Sequence, residues 1–171
     1  LQRKELDYLQ TLNERRLKAD QVNTELEGLI ESYELAFRMQ GTVPKLMDIG
    51  DESESTIEAY GINKSATSNF GRQCLLARRL VERGVRFVTI FCGAENTGAK
   101  KIRPNWDSHE DIVRDHGYWG RILDTGAAAL LSDLAARGLL ESTLVFCTSE
   151  FGRQPFMQGK QKGRDHNPGV F

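Results

Sequence analysis

Apolar positions recur at helical spacing in several stretches of this chain, and two short apolar runs break the rhythm. Leu6, Leu9 and Leu12 open the sequence among charges. Leu26, Leu29, Ile30, Tyr33 and Phe37 then form an i, i+3, i+4, i+7, i+11 stripe. Residues 1–40 therefore read as a helical segment, with Asp20 or Asn23 as a boundary between two helices, or as one long helix. The stripe needs something to pack on, which makes this segment a candidate homo-oligomer surface; its opposite face is a solvated row of charges.

Residues 41–66 carry Gly41, Pro44, Gly50 and Gly61 and an acidic run, Asp51-Glu52-Ser53-Glu54. They read as an ordered, irregular connector, with a helical turn at 56–60 ended by Gly61. Residues 67–171 are regular again. Phe70, Cys74, Ala77 and Val81 lie at helical spacing, widened by Leu76 and Leu80, with Thr67 or Ser68 to start the helix and Gly84 to stop it. Residues 85–92, V-R-F-V-T-I-F-C, read as a strand. A Gly/Asn/Lys-rich loop over 93–106 leads to a second helix over about 112–137, with Ile112, Trp119, Ile122, Leu123, Leu130, Leu131 and Leu134 on one side. Gly117, Gly120 and Gly126 each weaken that helix by about 1 kcal/mol relative to Ala. Residues 144–147 read as the next strand. Strand, helix and strand in this order predict parallel strands joined by a right-handed crossover, with both following loops leaving one edge of the sheet.

That geometry makes the polar residues of the two loops a candidate site. Asp107 and His109 precede the crossover helix. Glu150 ends the second apolar run, and Asp165-His166 follow fifteen residues later. Ligands bind beyond the carboxyl ends of parallel strands, and carboxylate with imidazole is a divalent-metal ligand set. Arg153 and Arg164 beside it suit a tetrahedral oxyanion, phosphate or sulfate. The competing readings are plain: Asp107 as a helix cap, Glu150 in an ion pair with Arg153 or Arg164, and His116 as a structural or surface residue. An ester hydrolase also needs a nucleophile. Ser149 is the one at hand, with nothing nearby to activate it.

Composition narrows the class. The chain of 171 residues has a net charge of −1, so no global field draws nucleic acid or a membrane surface. No apolar run approaches the roughly 18–20 residues of a membrane span. Three cysteines without a CxxC pair indicate neither a disulfide framework nor a zinc–thiolate site, and read as small buried hydrophobes. A start at Leu1 and an end just past the most polar turn read as a piece of a longer protein.

Several runs together carry a resemblance: F-G-R-Q-C-L-L-A-R-R-L-V-E-R-G-V-R-F-V, W-D-S-H, R-G-L-L-E-S-T-L-V-F, E-F-G-R-Q-P and G-R-D-H-N-P, with S-Y-E-L-A-F-R-M-Q upstream. The chain resembles a sulfatase-like family of bacterial proteins of unknown function within the alkaline phosphatase superfamily. The resemblance spans essentially the whole chain. It implies a fragment of a three-layer α/β/α fold with parallel strands behind the helical segment, and an exported or periplasmic parent. It implies a metal-dependent hydrolase of phosphate or sulfate esters, with zinc, manganese or calcium held by some of Asp107, His109, Glu150, Asp165 and His166. Arg153, Arg164 and Asn167 would then face a small anionic ester, and the nucleophile would come from upstream. The alternative is a metal-free, non-catalytic member that assembles through residues 1–40. Two departures weigh against a full superfamily metal set: the short Asp107–His109 spacing, and Phe151 where a ligand His is usual.

Overall fold

The computed structural model describes residues 2–19, 24–93 and 102–170. The candidate helix boundary at Asp20 or Asn23 and most of the loop over 93–106 lie outside the described residues. The chain forms two compact units, Leu1–Asp48 and Ile49–Phe171.

The first unit contains α1 (Gln2–Ala19) and α2 (Thr24–Met47). Residues 2–19 and 24–40 are helical, and α2 runs on through Gly41 and Pro44 into what was expected to be irregular connector. Pro44 lies in the last turn, and its carbonyl still accepts from the Asp48 N–H at 3.1 Å. The Arg3 guanidinium stands 5.6 Å from the Phe37 ring centroid. Leu9 and Leu12 of the first apolar pattern, and Leu29 and Tyr33 of the stripe, are exposed.

The second unit is built on α4 (Ser68–Glu82) and α5 (Ile112–Ala136), with the short α3 (Glu54–Ala59) beside them. The Ser53 hydroxyl caps α3 by accepting from the Thr56 N–H, and α5 is capped by the Asp111 carboxylate, which accepts from the Arg114 N–H. Because Asp111 does the capping, Asp107 is released from that role. Gly84 and Gly138, at φ of 80° and 68°, follow the two long helices where the sequence places their stops. The core joins Tyr60, Phe70, Cys74, Leu75, Trp119, Ile122, Leu130 and Leu134. Gly126 has a packing reason: a Cβ there would stand 2.6 Å from the Phe70 ring and 3.1 Å from the Cys74 sulfur. Cys74 is buried, and burial pushes its thiol up to about 12. Cys147, expected to be buried, is exposed.

Two buried arginines, which periodicity would have placed on a polar face, fasten the unit. Arg78 pairs with Glu52 and Glu82 at 2.7 Å and with Asp133 at 3.1 Å, while Arg79 reaches Asp51 and Glu52 at 2.6 Å. The Tyr60 hydroxyl, also buried, donates to Asp133 at 3.1 Å. Tyr60→Phe is expected to cost about 1.5 kcal/mol in urea unfolding, the range for a hydrogen bond to a charged acceptor.

The strand expectations require correction. Residues 85–92 and 144–147 have no regular secondary structure and join no ladder among the described residues. A strand exists only by pairing, and local pattern does not supply the partner. The first segment keeps the alternation: Ile90 and Cys92 pack against the core, while Phe87 is 85% exposed and Phe91 is exposed beside it. In the second, Leu144 is 91% exposed and Phe146 is also open to solvent. The regular strands lie elsewhere, as an antiparallel pair of β1 (Gly152–Arg153) and β2 (His166–Asn167). An isolated parallel bridge joins Asp111 to Lys162. The chain is thus mixed α/β and mostly helical.

Candidate metal centre

The site begins with a loop pinned to α5 from three sides. The Trp119 indole donates to the Arg103 carbonyl at 3.0 Å, and the His116 Nε2 meets the Trp106 carbonyl at 2.9 Å. His116 is therefore structural, its ring edge-on to Trp106. The buried Ser108 hydroxyl donates to the wholly buried Asp115 carboxylate at 2.6 Å. The Asp107 and His109 side chains on either side of buried Ser108 stay partly exposed.

The polar turn docks on this loop through its backbone. The Arg164 N–H donates to the Ser108 carbonyl at 3.1 Å, and the Lys162 N–H to the Glu110 carbonyl at 2.9 Å. Between them Gly163 lies flat against the His109–Glu110 peptide, with no room for a Cβ. The β1–β2 register then sets Arg153 directly across from His166. Both reach the same acceptor, Asp107 Oδ1: His166 Nε2 at 3.0 Å and an Arg153 guanidinium nitrogen at 2.7 Å. His109 Nε2 stands 2.8 Å from that oxygen. The ligand atoms of Asp107, His109 and His166 all lie within 4.8 Å of one another.

Burial alone would push the Asp107 carboxyl up. Hydrogen bonds from His166 and Arg153 and the charges of His109 and Arg153 outweigh it, and hold the group well below the usual carboxylate range. Asp107 is thus an anion through neutral pH. Two imidazole nitrogens and one carboxylate oxygen form a donor set for a divalent transition metal, with positions left for water or substrate. Tetrahedral zinc would hold its ligand atoms about 3.4 Å apart, given bonds near 2.1 Å. The two imidazole nitrogens stand 2.8 and 3.0 Å from Asp107 Oδ1, closer than that, so the side chains would have to spread to admit such an ion.

The other predicted residues divide. Asp165 borders the cluster, its Oδ1 3.8 Å from His109 Nδ1 while accepting from the His166 N–H at 2.8 Å. Glu150 is exposed and, among the described residues, makes no ion pair with Arg153 or Arg164. Arg164 spends its guanidinium on the Lys162 and Gly163 carbonyls of its own turn. Asn167 accepts from the Gly169 N–H at 3.1 Å, a turn contact. The Ser149 hydroxyl reaches, among the described residues, the Glu150 carbonyl at 3.5 Å. Four contributors escaped the sequence reading. Ser108 and Asp115 form the buried peg, and Phe151, discounted because it cannot bind a metal, packs its ring 5.0 Å from that of His166. The fourth, Gln158, places its Oε1 2.7 Å from His109 Nδ1. No spacing rule would have found them, because each acts across a tertiary contact.

Fold and site together define a mixed α/β, mostly helical protein with a histidine–carboxylate cluster where the α5-pinned loop meets β2. The chain belongs to the family described as protein of unknown function (DUF1501), whose model matches residues 1–171. No curated protein matches the chain. No solved structure matches it.

Proposed function

We propose that this chain carries the metal-binding part of a hydrolase of phosphate or sulfate esters, of the sulfatase and alkaline phosphatase kind. The observation that carries the reading is the convergence of Asp107, His109 and His166 within 4.8 Å, with Arg153 on the same carboxylate. A bound zinc or manganese ion would polarise an ester oxygen and stabilise charge developing on it. Asp107, His109 and His166 would hold the ion, and Arg153 would share its positive charge between Asp107 and an incoming anion. The wider fold in this reading is a three-layer α/β/α sandwich. Its support is the order of elements: α4 and α5 are each followed by a glycine and then by a largely apolar segment, with Phe87, Phe91, Leu144 and Phe146 left open. An exported parent protein and a nucleophile outside this chain belong to the same proposal.

The test is metal titration of the chain by calorimetry, with His166→Ala alongside. Zinc or manganese should bind one ion per chain, and the variant should weaken binding at least about 100-fold through loss of a direct ligand. Absence of binding with zinc, manganese and calcium sinks the reading.

A metal-free assembly module is the second reading, favoured by two observations. The Arg153–Asp107 pair satisfies the carboxylate without an ion, and apolar Leu9, Leu12, Leu29 and Tyr33 of α1 and α2 are exposed. Sizing chromatography decides it: an oligomer that Leu29→Glu dissociates supports assembly through these helices, and a monomer rejects it.

A further inference from the structure

We infer that Gln158 is a positioning residue that fixes the ring tautomer and orientation of His109, making its Nε2 a metal ligand. The inference rests on the metal centre proposed above. Gln158 Oε1 stands 2.7 Å from His109 Nδ1. A side-chain amide oxygen only accepts, so Nδ1 must carry the proton. In the neutral imidazole this leaves Nε2 with its lone pair, and that atom faces Asp107 Oδ1 at 2.8 Å. A lone pair against a carboxylate oxygen at this distance is repulsive. A cation on Nε2 relieves it: a proton, which makes His109 the imidazolium that lowers the Asp107 carboxyl, or a metal ion once the two atoms spread beyond 2.8 Å. A ligand histidine whose other nitrogen donates to a carbonyl or carboxylate is the general pattern at protein metal sites.

Gln158 is itself held in place. Its N–H donates to the Gly163 carbonyl at 3.2 Å and its carbonyl accepts from the Gln161 N–H at 3.0 Å. The turn that brings His166 to the cluster therefore also delivers the acceptor for His109. The Asp165 carboxylate stands 3.8 Å from the same Nδ1, outside hydrogen-bond range, so Gln158 makes the closer contact.

Two variants of similar volume separate the acceptor from the packing. Gln158→Met removes the acceptor, and Gln158→Glu retains it. With zinc(II) alone as the probe, and the affinity read by chelator competition, Gln158→Met should bind about 10- to 100-fold more weakly than the unmodified chain, and Gln158→Glu within a few-fold of it. Nitrogen-15 spectra of the zinc-loaded chain should show the His109 proton on Nδ1, slow to exchange, and this signal should be lost in Gln158→Met. If Gln158→Met binds as tightly as the unmodified chain, or if Gln158→Glu loses as much as Gln158→Met, the role of Gln158 is overturned while the metal centre stands. If the unmodified chain binds no zinc, the metal centre itself falls, and this inference with it.

Discussion

Gly163→Ala should detach the polar turn from the metal-centre loop while leaving the α4–α5 core folded. A Cβ at position 163 would overlap the His109 carbonyl carbon and oxygen and stand 2.5 Å from the Glu110 nitrogen. These are backbone atoms, so no side chain can swing aside. The two segments must separate, and the Lys162–Glu110 and Arg164–Ser108 hydrogen bonds separate with them. Overpacking of this kind costs about 3 kcal/mol, the upper end of its usual range. Hydrogen exchange reads it directly. The Lys162 and Arg164 amides should lose protection, while amides near Leu75 and Trp119 keep theirs. Zinc binding should fall with the docking, because His166 reaches Asp107 from the docked turn and Arg153 is paired to His166 across the β1–β2 ladder. Unchanged protection at 162 and 164 would mean the close approach is not what joins the two segments.

Asp115→Asn should produce the other large loss, by a different route. The carboxylate is wholly buried and accepts from the Ser108 hydroxyl at 2.6 Å, from two Arg114 nitrogens at 2.8 and 3.0 Å, and from the Arg103 N–H at 3.4 Å. Asparagine keeps the shape but offers one acceptor oxygen, and turns its NH2 toward donors. The cost should be about 3 kcal/mol, a buried charged pair broken from one side with partial relief because Arg114 can reach water. Asp107 and His109, which flank the buried Ser108, should lose their fixed geometry as well.

The same carboxylate sets a pH dependence. Burial raises its pKa, but hydrogen bonds from Arg114, Ser108 and the Arg103 amide, with the Arg114 charge, lower it further than burial raises it. The folded value therefore lies below the unfolded one, near 3.9. Its contribution is complete above about pH 4 and disappears as pH falls through the folded value. Urea midpoints of the unmodified chain should fall below about pH 4, and Asp115→Asn should flatten that slope. Equal slopes in the two proteins would remove Asp115 from the acid response.

The sequence by itself determined the helices and their ends. Apolar spacing is a property of one segment, so α4 and α5 appear at their places with Phe70, Cys74, Trp119, Ile122, Leu130 and Leu134 inward, and glycines 84 and 138 mark the stops. It also singled out Asp107, His109, Arg153 and His166 as polar residues in loops between apolar elements. Pairing and burial are properties of two segments, and there the tertiary structure decided. Residues 85–92 have a strand's alternation without a ladder partner among the described residues, and Arg78 and Arg79 are buried because acids from other elements surround them. Glu150 remains exposed, while Gln158, Ser108 and Asp115 enter the site through contacts at sequence separations of 49 and 7 that no local pattern encodes. Hydrophobic periodicity reports which way a side chain faces along its own element. Which atoms it then meets depends on where the chain returns.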